Sequence, residues 1–271
     1  MPLEVLSLAE WEAAGIKNML SVVIPAHNEE RHIAGTVKDL LSALRTAGIN
    51  HEILVVNDNS SDDTERVLIA LCHEYPEVRY VSSMPPNRFG YAVRCGLAAF
   101  RGDAVAIVMA DGSDSPADLV RFYQKLQEGY DCVFGSRFIR GASVSDYPLH
   151  KLVLNRLGNS LIQGLFLLRY NDVTNAFKLY RRRAIAGIQP LLSSHFNLTV
   201  EMPLKSIVRG YKYAVMPNAW SNREEGISKF KIREIGSRYL FMILYCLIEK
   251  MLSRGDYVVA DQSAQLQVWP R

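Results

Sequence analysis

The sequence predicts an α/β protein: a mostly parallel, Rossmann-like sheet with helices on both faces, followed by an amphipathic helix near the C-terminus. Short β-rich runs alternate with helical periodicity through the first half of the chain. The strand runs are apolar almost throughout, as expected where helices cover both faces of a parallel sheet. No Gly/Ser-rich linker or internal repeat divides the 271 residues. Strands are expected at 20–24, 52–56, 78–81, 104–109 and 131–134, and helices at about 30–47, 62–75, 90–101 and 116–129. A further helix is expected after Pro148, and another where Lys229, Lys231, Arg233 and Arg238 lead into the apolar run Tyr239 to Ile248. Residues 18–222 read as one α/β domain, 223–254 as a basic motif with the C-terminal helix, and 255–271 as a loose tail.

Composition narrows the classes. A net charge of +3 with 49% hydrophobic and 22% charged residues is ordinary for a globular chain. The total conceals a division. Residues 1–130 hold 11 Lys/Arg against 18 Asp/Glu, and 131–271 hold 20 against 10, for nets of −7 and +10. A nucleic-acid binder would need a continuous basic surface, so none is expected as a partner. Cys72, Cys95, Cys132 and Cys246 form no C-x-x-C pair, which argues against a disulfide framework or zinc site and for a reducing compartment. Glu4, Glu10 and Glu12 do not suit a signal peptide, and no uncharged apolar run approaches the roughly 20 residues of a membrane span.

Ligands of open α/β sheets bind beyond the carboxyl ends of the strands, so chemistry is sought there. After the first strand come Pro25, His27, Asn28, Glu29 and Glu30, with the two glutamates expected in the first turn of a helix. Asp58 stands at the end of the second, where a carboxylate suits hydrogen bonds to a base or ribose, and Ser61 or Asp62 suits a helix cap. On the next helix the small Ala92 and Gly96 favour close packing. The fourth strand runs into Asp111-Gly112-Ser113-Asp114, a turn whose carboxylates suit a divalent cation that also grips phosphates. Asp114 or Ser115 before Pro116 equally suits a helix start. Arg137 after the fifth strand fits phosphate contact, with a structural ion pair as the alternative. No G-x-G-x-x-G follows the first strand and no P-loop motif occurs, which disfavours ordinary dinucleotide enzymes and P-loop NTPases.

Together these segments resemble a family. Val-Val-Ile-Pro-Ala-His-Asn-Glu-Glu (22–30), Val-Val-Asn-Asp-Asn-Ser (55–60), Met-Ala-Asp-Gly-Ser-Asp (109–114) and Gly-Ser-Arg-Phe (135–138) are similar to the inverting family 2 glycosyltransferases of GT-A fold. Asp172 to Tyr180 and Arg223-Glu224-Glu225-Gly226-Ile227-Ser228-Lys229 resemble segments of the dolichyl-phosphate mannose synthase and polyprenyl-phosphate glycosyltransferase branch. The resemblance implies transfer of a hexosyl group from a nucleotide-diphosphate sugar, GDP-mannose or a UDP-sugar, to a polyprenyl phosphate. It implies Mg²⁺ or Mn²⁺ as cofactor, and a place at the cytoplasmic face of a membrane, on its surface or against a membrane partner.

Carried over by position, Pro25, Glu29, Asp58, Asp111, Arg137, Ser228 and Lys229 would bind the donor. Asp111, Arg137 and Arg223 would act in catalysis, Lys151 and Asn155 would meet the acceptor, and Asp111 with Asp114 would hold the metal. The sequence departs from the family pattern at Met109, where the first Asp of D-x-D is expected, and at Phe89, Ser113, Asp114 and Ala176. A soluble saccharide acceptor, or a non-catalytic nucleotide-sugar-binding subunit, are the rival readings.

Overall fold

The structure, a computed structural model, describes residues 18–145, 147–221 and 232–258, with the side chains of 232–235 left aside. In chain order its elements are β1 (Met19–Ala26), α1 (Ile33–Thr46), β2 (Asn50–Asn57), α2 (Thr64–Glu74), β3 (Val78–Ser82), α3 (Phe89–Ala99), β4 (Ala104–Ile107), α4 (Pro116–Gln127) and β5 (Cys132–Ser136). There follow β6 (Ser143–Ser145), α5 (Leu149–Phe166), β7 (Lys178–Arg181), α6 (Arg182–Gly187), α7 (Leu198–Val208), β8 (Tyr213–Pro217), β9 (Ala219–Ser221) and α8 (Ile232–Leu252).

Seven strands form one sheet in the order β3-β2-β1-β4-β7-β5-β8, and β6 pairs with β9 in a separate ribbon. Within the large sheet β7 alone runs antiparallel, between β4 and β5. Strand β1 has β2 on one side and β4 on the other, both parallel to it. The chain therefore reverses its winding direction at β1, and the crevice this opens lies at the carboxyl ends of β1 and β4.

Period-two alternation sorts the strand side chains into two cores. Val22, Ile24, Ile53, Val55 and Ala106 point to the face covered by α1, α2 and α4, where they meet Ile33, Leu40, Leu68, Leu119 and Phe122. Val23, Leu54, Val56, Val105 and Ile107 point to the other, where Val93, Leu97, Ile162, Tyr180, Leu204 and Met242 pack. Expected strands and helices of the first half thus appear within a few residues of their predicted bounds.

Two local expectations are corrected. Helix α1 begins at Ile33, and its first turn holds no acidic residue. Glu29 and Glu30 lie just before it, because they are tied to the β2–α2 loop: the Glu30 amide donates to Asp62 Oδ2, and Glu30 Oε2 accepts the Asp63 amide at 2.8 Å. Strand β4 ends at Ile107 and not at Met109. The Met109 amide is diverted to Asp114 Oδ2 at 3.1 Å, and the Ala110 carbonyl accepts the Thr36 hydroxyl at 2.8 Å.

Helix α3 lies close on the sheet at Gly96, where a Cβ would stand 2.4 Å from Val23 Cγ1 and 3.1 Å from Val56 Cγ2. Both valines are fully buried strand residues with no room to retreat. Gly96→Ala is therefore expected to cost about 1–3 kcal/mol by overpacking. Urea unfolding of the two proteins checks this.

Candidate active site at the strand ends

The loops after β1 and β2 are laced into one wall. Asn28 and Asn59 both take left-handed backbone conformations, at φ 58° and 53°. Asn28 Oδ1 accepts the Ser61 amide at 2.8 Å, and the Glu29 amide donates to Thr64 Oγ1 at 2.9 Å. The cap position of α2 falls on Asp63, and not on Ser61 or Asp62 as expected; Asp62, one residue earlier, accepts the Thr64 amide at 3.0 Å. Pro25 is buried at the end of β1, paired in register with Val56. Asp58 is almost wholly buried, and its Oδ1 accepts the Ser83 hydroxyl at 2.5 Å. Glu29 is half-buried and accepts from or pairs with His32 Nδ1 at 3.2 Å. Its carboxyl is pushed above the ordinary value, first by burial and further by the nearby Asp111, with His32 opposing.

The β4–α4 turn separates its two aspartates. Gly112, at φ 64°, turns the chain, and Asp111 Oδ1 accepts the Ser113 amide at 3.0 Å. Asp111 stays half-buried and its other oxygen takes no hydrogen bond among the described residues. Asp114 faces inward, 5% exposed and bonded to the Met109 amide. Burial pushes its carboxyl up to about 7, with Asp111 and Asp118 adding to the rise and Arg137 opposing it.

Arg137 enters from β5. Its Nε and Nη2 each lie 2.8 Å from Asp172, on Oδ2 and Oδ1, and its amide donates to the same carboxylate. The side chains are 9% and 0% exposed. The rings of Phe138, Tyr147 and Trp220 lie 5.4–5.9 Å from the guanidinium carbon. Burial works against the charge, but pairing with Asp172 outweighs it and holds Arg137 above the usual arginine value. Side-on pairing leaves Nη1 without a hydrogen bond among the described residues. The structural ion pair therefore forms, and one end of the guanidinium remains available to a ligand.

The turn that carries Asp172 is fixed from several sides. Tyr170 Oη and Asn175 Nδ2 both donate to the Gly135 carbonyl at 3.0 Å, and Asn175 also reaches Asn218 Oδ1 at 3.0 Å. A side chain at 135 would meet Asn218, Phe177 and Asn175 at 2.9–3.0 Å, so only glycine admits these contacts. Asn155 on α5 donates to Thr174 Oγ1 at 2.8 Å, and Lys151 stands half-buried one turn earlier. Arg223, Ser228 and Lys229 lie outside the described residues. A separate cleft of about 310 Å³ opens between residues 192–197 and α8, lined in part by Ser193, Asn197, Arg238 and Phe241.

The pattern described as "Glycosyl transferase family 2" matches residues 21–188, which spans β1 to α6 and every strand-end loop described above. The chain belongs to this family. Polyprenol monophosphomannose synthase of Mycolicibacterium smegmatis is 28% identical, over 80% of this chain and 86% of that protein. Dolichol-phosphate mannosyltransferase of Pyrococcus furiosus is 26% identical over 80% of this chain, which matches 60% of that longer protein. Among solved structures, glucosyl-3-phosphoglycerate synthase from Mycobacterium tuberculosis in complex with UDP superposes with a TM-score of 0.63. It is 21% identical, over 90% of this chain and 84% of that one. The same enzyme with Mn²⁺, UDP and phosphoglyceric acid gives 0.63 at 22% identity, over 90% and 82%. The architecture is that of the GT-A fold.

A family 2 glycosyltransferase of this fold is expected to hold a divalent cation, and the donor set can be tested for it. The side chain of Met109 offers no oxygen, and Asp114 is turned into the protein. Among the described residues no three His, Cys, Asp or Glu side chains gather as a complete cage. The free oxygen of Asp111 does fit Mg²⁺ or Mn²⁺ of the kind that takes one carboxylate from protein and the rest from phosphates and water. Sequence reasoning quoted Asp172, Asn175 and Lys178 only as parts of a motif. The roles of Asp172 and Asn175 are not legible there because their partners lie elsewhere in the chain, 35 residues away for Asp172 and Arg137 and 40 for Asn175 and Gly135.

Two outcomes follow from the burial. Asp172→Ala strands the Arg137 guanidinium, and is expected to lower stability by about 3–5 kcal/mol in chemical denaturation. The raised pKa of Asp114 means the folded state binds its proton more tightly than the unfolded chain. That stabilisation is complete below about pH 3.8 and is lost as pH rises through about 7. In Asp114→Asn the difference in unfolding free energy between pH 5 and pH 8 is expected to be shifted accordingly, with less stability lost on raising the pH than in the unaltered protein.

Proposed function

We propose that this protein transfers a hexosyl group, with inversion, from a nucleotide-diphosphate sugar (GDP-mannose or a UDP-sugar) to a polyprenyl, dolichyl-type phosphate. The observation that carries the lipid acceptor is a pair of exposed apolar helix faces. On α5, Leu149, Val153, Leu157, Leu161 and Leu165 recur every four residues and are exposed, Leu157 by 64%. On α8, Leu240, Phe241, Leu244, Ile248, Met251 and Leu252 are likewise exposed, Phe241 by 59%. The two helices touch where Lys250 Nζ donates to the Phe166 carbonyl at 2.7 Å. Among the described residues no helix is long and apolar enough to cross a membrane. Such faces suit helices lying at a bilayer surface, with the basic residues that precede α8 meeting anionic headgroups. Placement at the cytoplasmic face follows from this reading, as does polyprenyl phosphate as the partner molecule, which the names of both curated relatives support.

Each wall of the cleft then has a task. Asp58, held by Ser83, accepts hydrogen bonds from the ribose or base, with Pro25 and Glu29 beside it. Asp111 would carry the Mg²⁺ or Mn²⁺, which when bound neutralises charge on the donor diphosphate. Arg137 presents Nη1 to that diphosphate, and Arg223, Ser228 and Lys229 complete the grip. Lys151 and Asn155 face the acceptor phosphate. One phosphate oxygen of the acceptor attacks the anomeric carbon while the bond to the diphosphate breaks on the opposite side. That oxygen is already ionised at neutral pH, so no general base is needed. Rate enhancement comes from alignment of the two reactants and from stabilisation of the departing diphosphate.

Labelled GDP-mannose and UDP-sugars, offered with and without polyprenyl phosphate and followed by organic extraction, test the reaction. Extractable label that depends on the lipid is expected; label on no acceptor from any donor overturns the proposal. Asp111→Asn is expected to abolish transfer while leaving the unfolding curve unchanged. Replacing Leu157, Leu161, Phe241 and Leu244 by serine is expected to prevent co-flotation with anionic vesicles.

A further inference from the structure

Lys178 begins β7 and is 1% exposed, too deep to touch any substrate. It forms no direct ion pair among the described residues. Its ammonium instead donates to three backbone carbonyls: Val173 at 3.0 Å, Thr199 at 3.1 Å and Asn175. Three donors meet three acceptors, so the charged form is fully satisfied, and a neutral amine would leave one carbonyl bare. Two of these carbonyls belong to the turn that carries Asp172, whose own carbonyl accepts the Asn175 amide at 3.0 Å. The third belongs to the first turn of α7. The segment before that turn packs on the start of α3. There Phe196 stacks on Phe89 with ring centroids 4.3 Å apart, and the Ser194 carbonyl accepts the Gly90 amide.

We infer that Lys178 is a positioning residue: by clamping the Asp172 turn to the start of α7, it holds Asp172 at the register in which Arg137 is locked side-on with Nη1 directed to the donor. The inference rests on the reading of Arg137 as the group facing the donor diphosphate. A cation is placed here at a cost, since burial pulls the Lys178 amine down to about 7, with Asp172 and Asp114 supporting its charge and Arg137 opposing it. A leucine or methionine would fill the volume without that cost. What neither supplies is a link among three carbonyls on two separate segments.

The test is Lys178→Met, which keeps the length of the stem and removes the donors. Its first readout is the ¹⁵N-resolved Nε–H of Arg137, assigned by its absence in Arg137→Lys and protected from solvent exchange by Asp172. Exchange is expected to quicken by about tenfold or more, and kcat with the active donor to fall by about tenfold or more, while the KM for polyprenyl phosphate changes less than about threefold. Unchanged exchange in Lys178→Met overturns the inference, whether or not turnover falls, and so does faster exchange with undiminished turnover. If the methionine variant does not fold, Lys178→Gln, which keeps two amide protons for the three carbonyls, carries the same readouts. An enzyme that transfers no hexose to polyprenyl phosphate would fail the proposed function separately, since the exchange measurement needs no substrate.

Discussion

Arg137 and Asp172 are withdrawn from water together, and the arrangement of the chain around the end of β5 follows from that. A buried guanidinium is tolerated when a carboxylate meets its planar fork and the remaining polar atoms of both groups are satisfied. Asp172 accepts from the Nε, Nη2 and backbone amide of Arg137, so the carboxylate is largely saturated by one residue. Keeping it there requires a rigid turn at 171–175, and that turn is bonded to the strand end itself through the Gly135 carbonyl. The close approach demands glycine at 135. A family-typical Gly-Ser-Arg segment thereby becomes a geometric requirement: glycine to admit the turn, serine to bond Asn171 at 2.7 Å, arginine to be held by it.

The switch in winding direction at β1 explains why the two signs of charge face each other. Strands β1, β2 and β4 are followed by Glu29, Asp58 and Asp111, all from the acidic half of the chain. Beyond β4 the sheet continues through β7 and β5, which bring Arg137 from the basic half. A donor that carries a nucleoside at one end and a diphosphate at the other would lie across this boundary. Hydrogen-bond acceptors would meet the ribose and base, and a cation on Asp111 with the Arg137 guanidinium would meet the diphosphate.

Much of this was legible in the residues alone, for a physical reason. The strands and helices of the first half are set by local apolar periodicity, and Asp58, Asp111 and Arg137 announce themselves by standing where buried strands end. The antiparallel β7 was not legible, because four residues carry too little pattern and its pairing depends on strands some 45 to 75 residues away. Glu29 and Glu30 read as helix-start residues because their real partners, Thr64, Asp62 and Asp63, lie more than thirty positions on. Asp114 reads as a ligand or cap, and only the fold reveals that it terminates β4 by capturing the Met109 amide. The exposed stripe on α5 was concealed in the same way. Spacing alone does not say whether its leucines are covered, and the fold leaves them exposed.

Helix α8 bears one of the two apolar faces; Met242, Ile243 and Cys246 pack it into the core, and a buried polar attachment adds to them. Arg209, which caps the C-terminus of α7, pairs with Glu249 of α8 at 2.7 Å and also donates to the Gly187 and Gln189 carbonyls. One turn earlier on α7, Lys205 pairs with Glu201, and Glu201 accepts the Leu192 and Ser193 amides at 2.7 Å each. Charges so placed are costly to separate, because each partner left behind would be an uncompensated ion out of water. The i, i+4 ladder of Glu201, Lys205 and Arg209 therefore fixes α8 on one side and the 192–196 segment on the other. Tyr239 adds a direct tie, its hydroxyl donating to the Phe196 carbonyl at 3.1 Å. A helix seated at a lipid surface would thus be coupled through α7 to the Thr199 carbonyl, which Lys178 binds, and from there to the turn that holds Asp172 against Arg137.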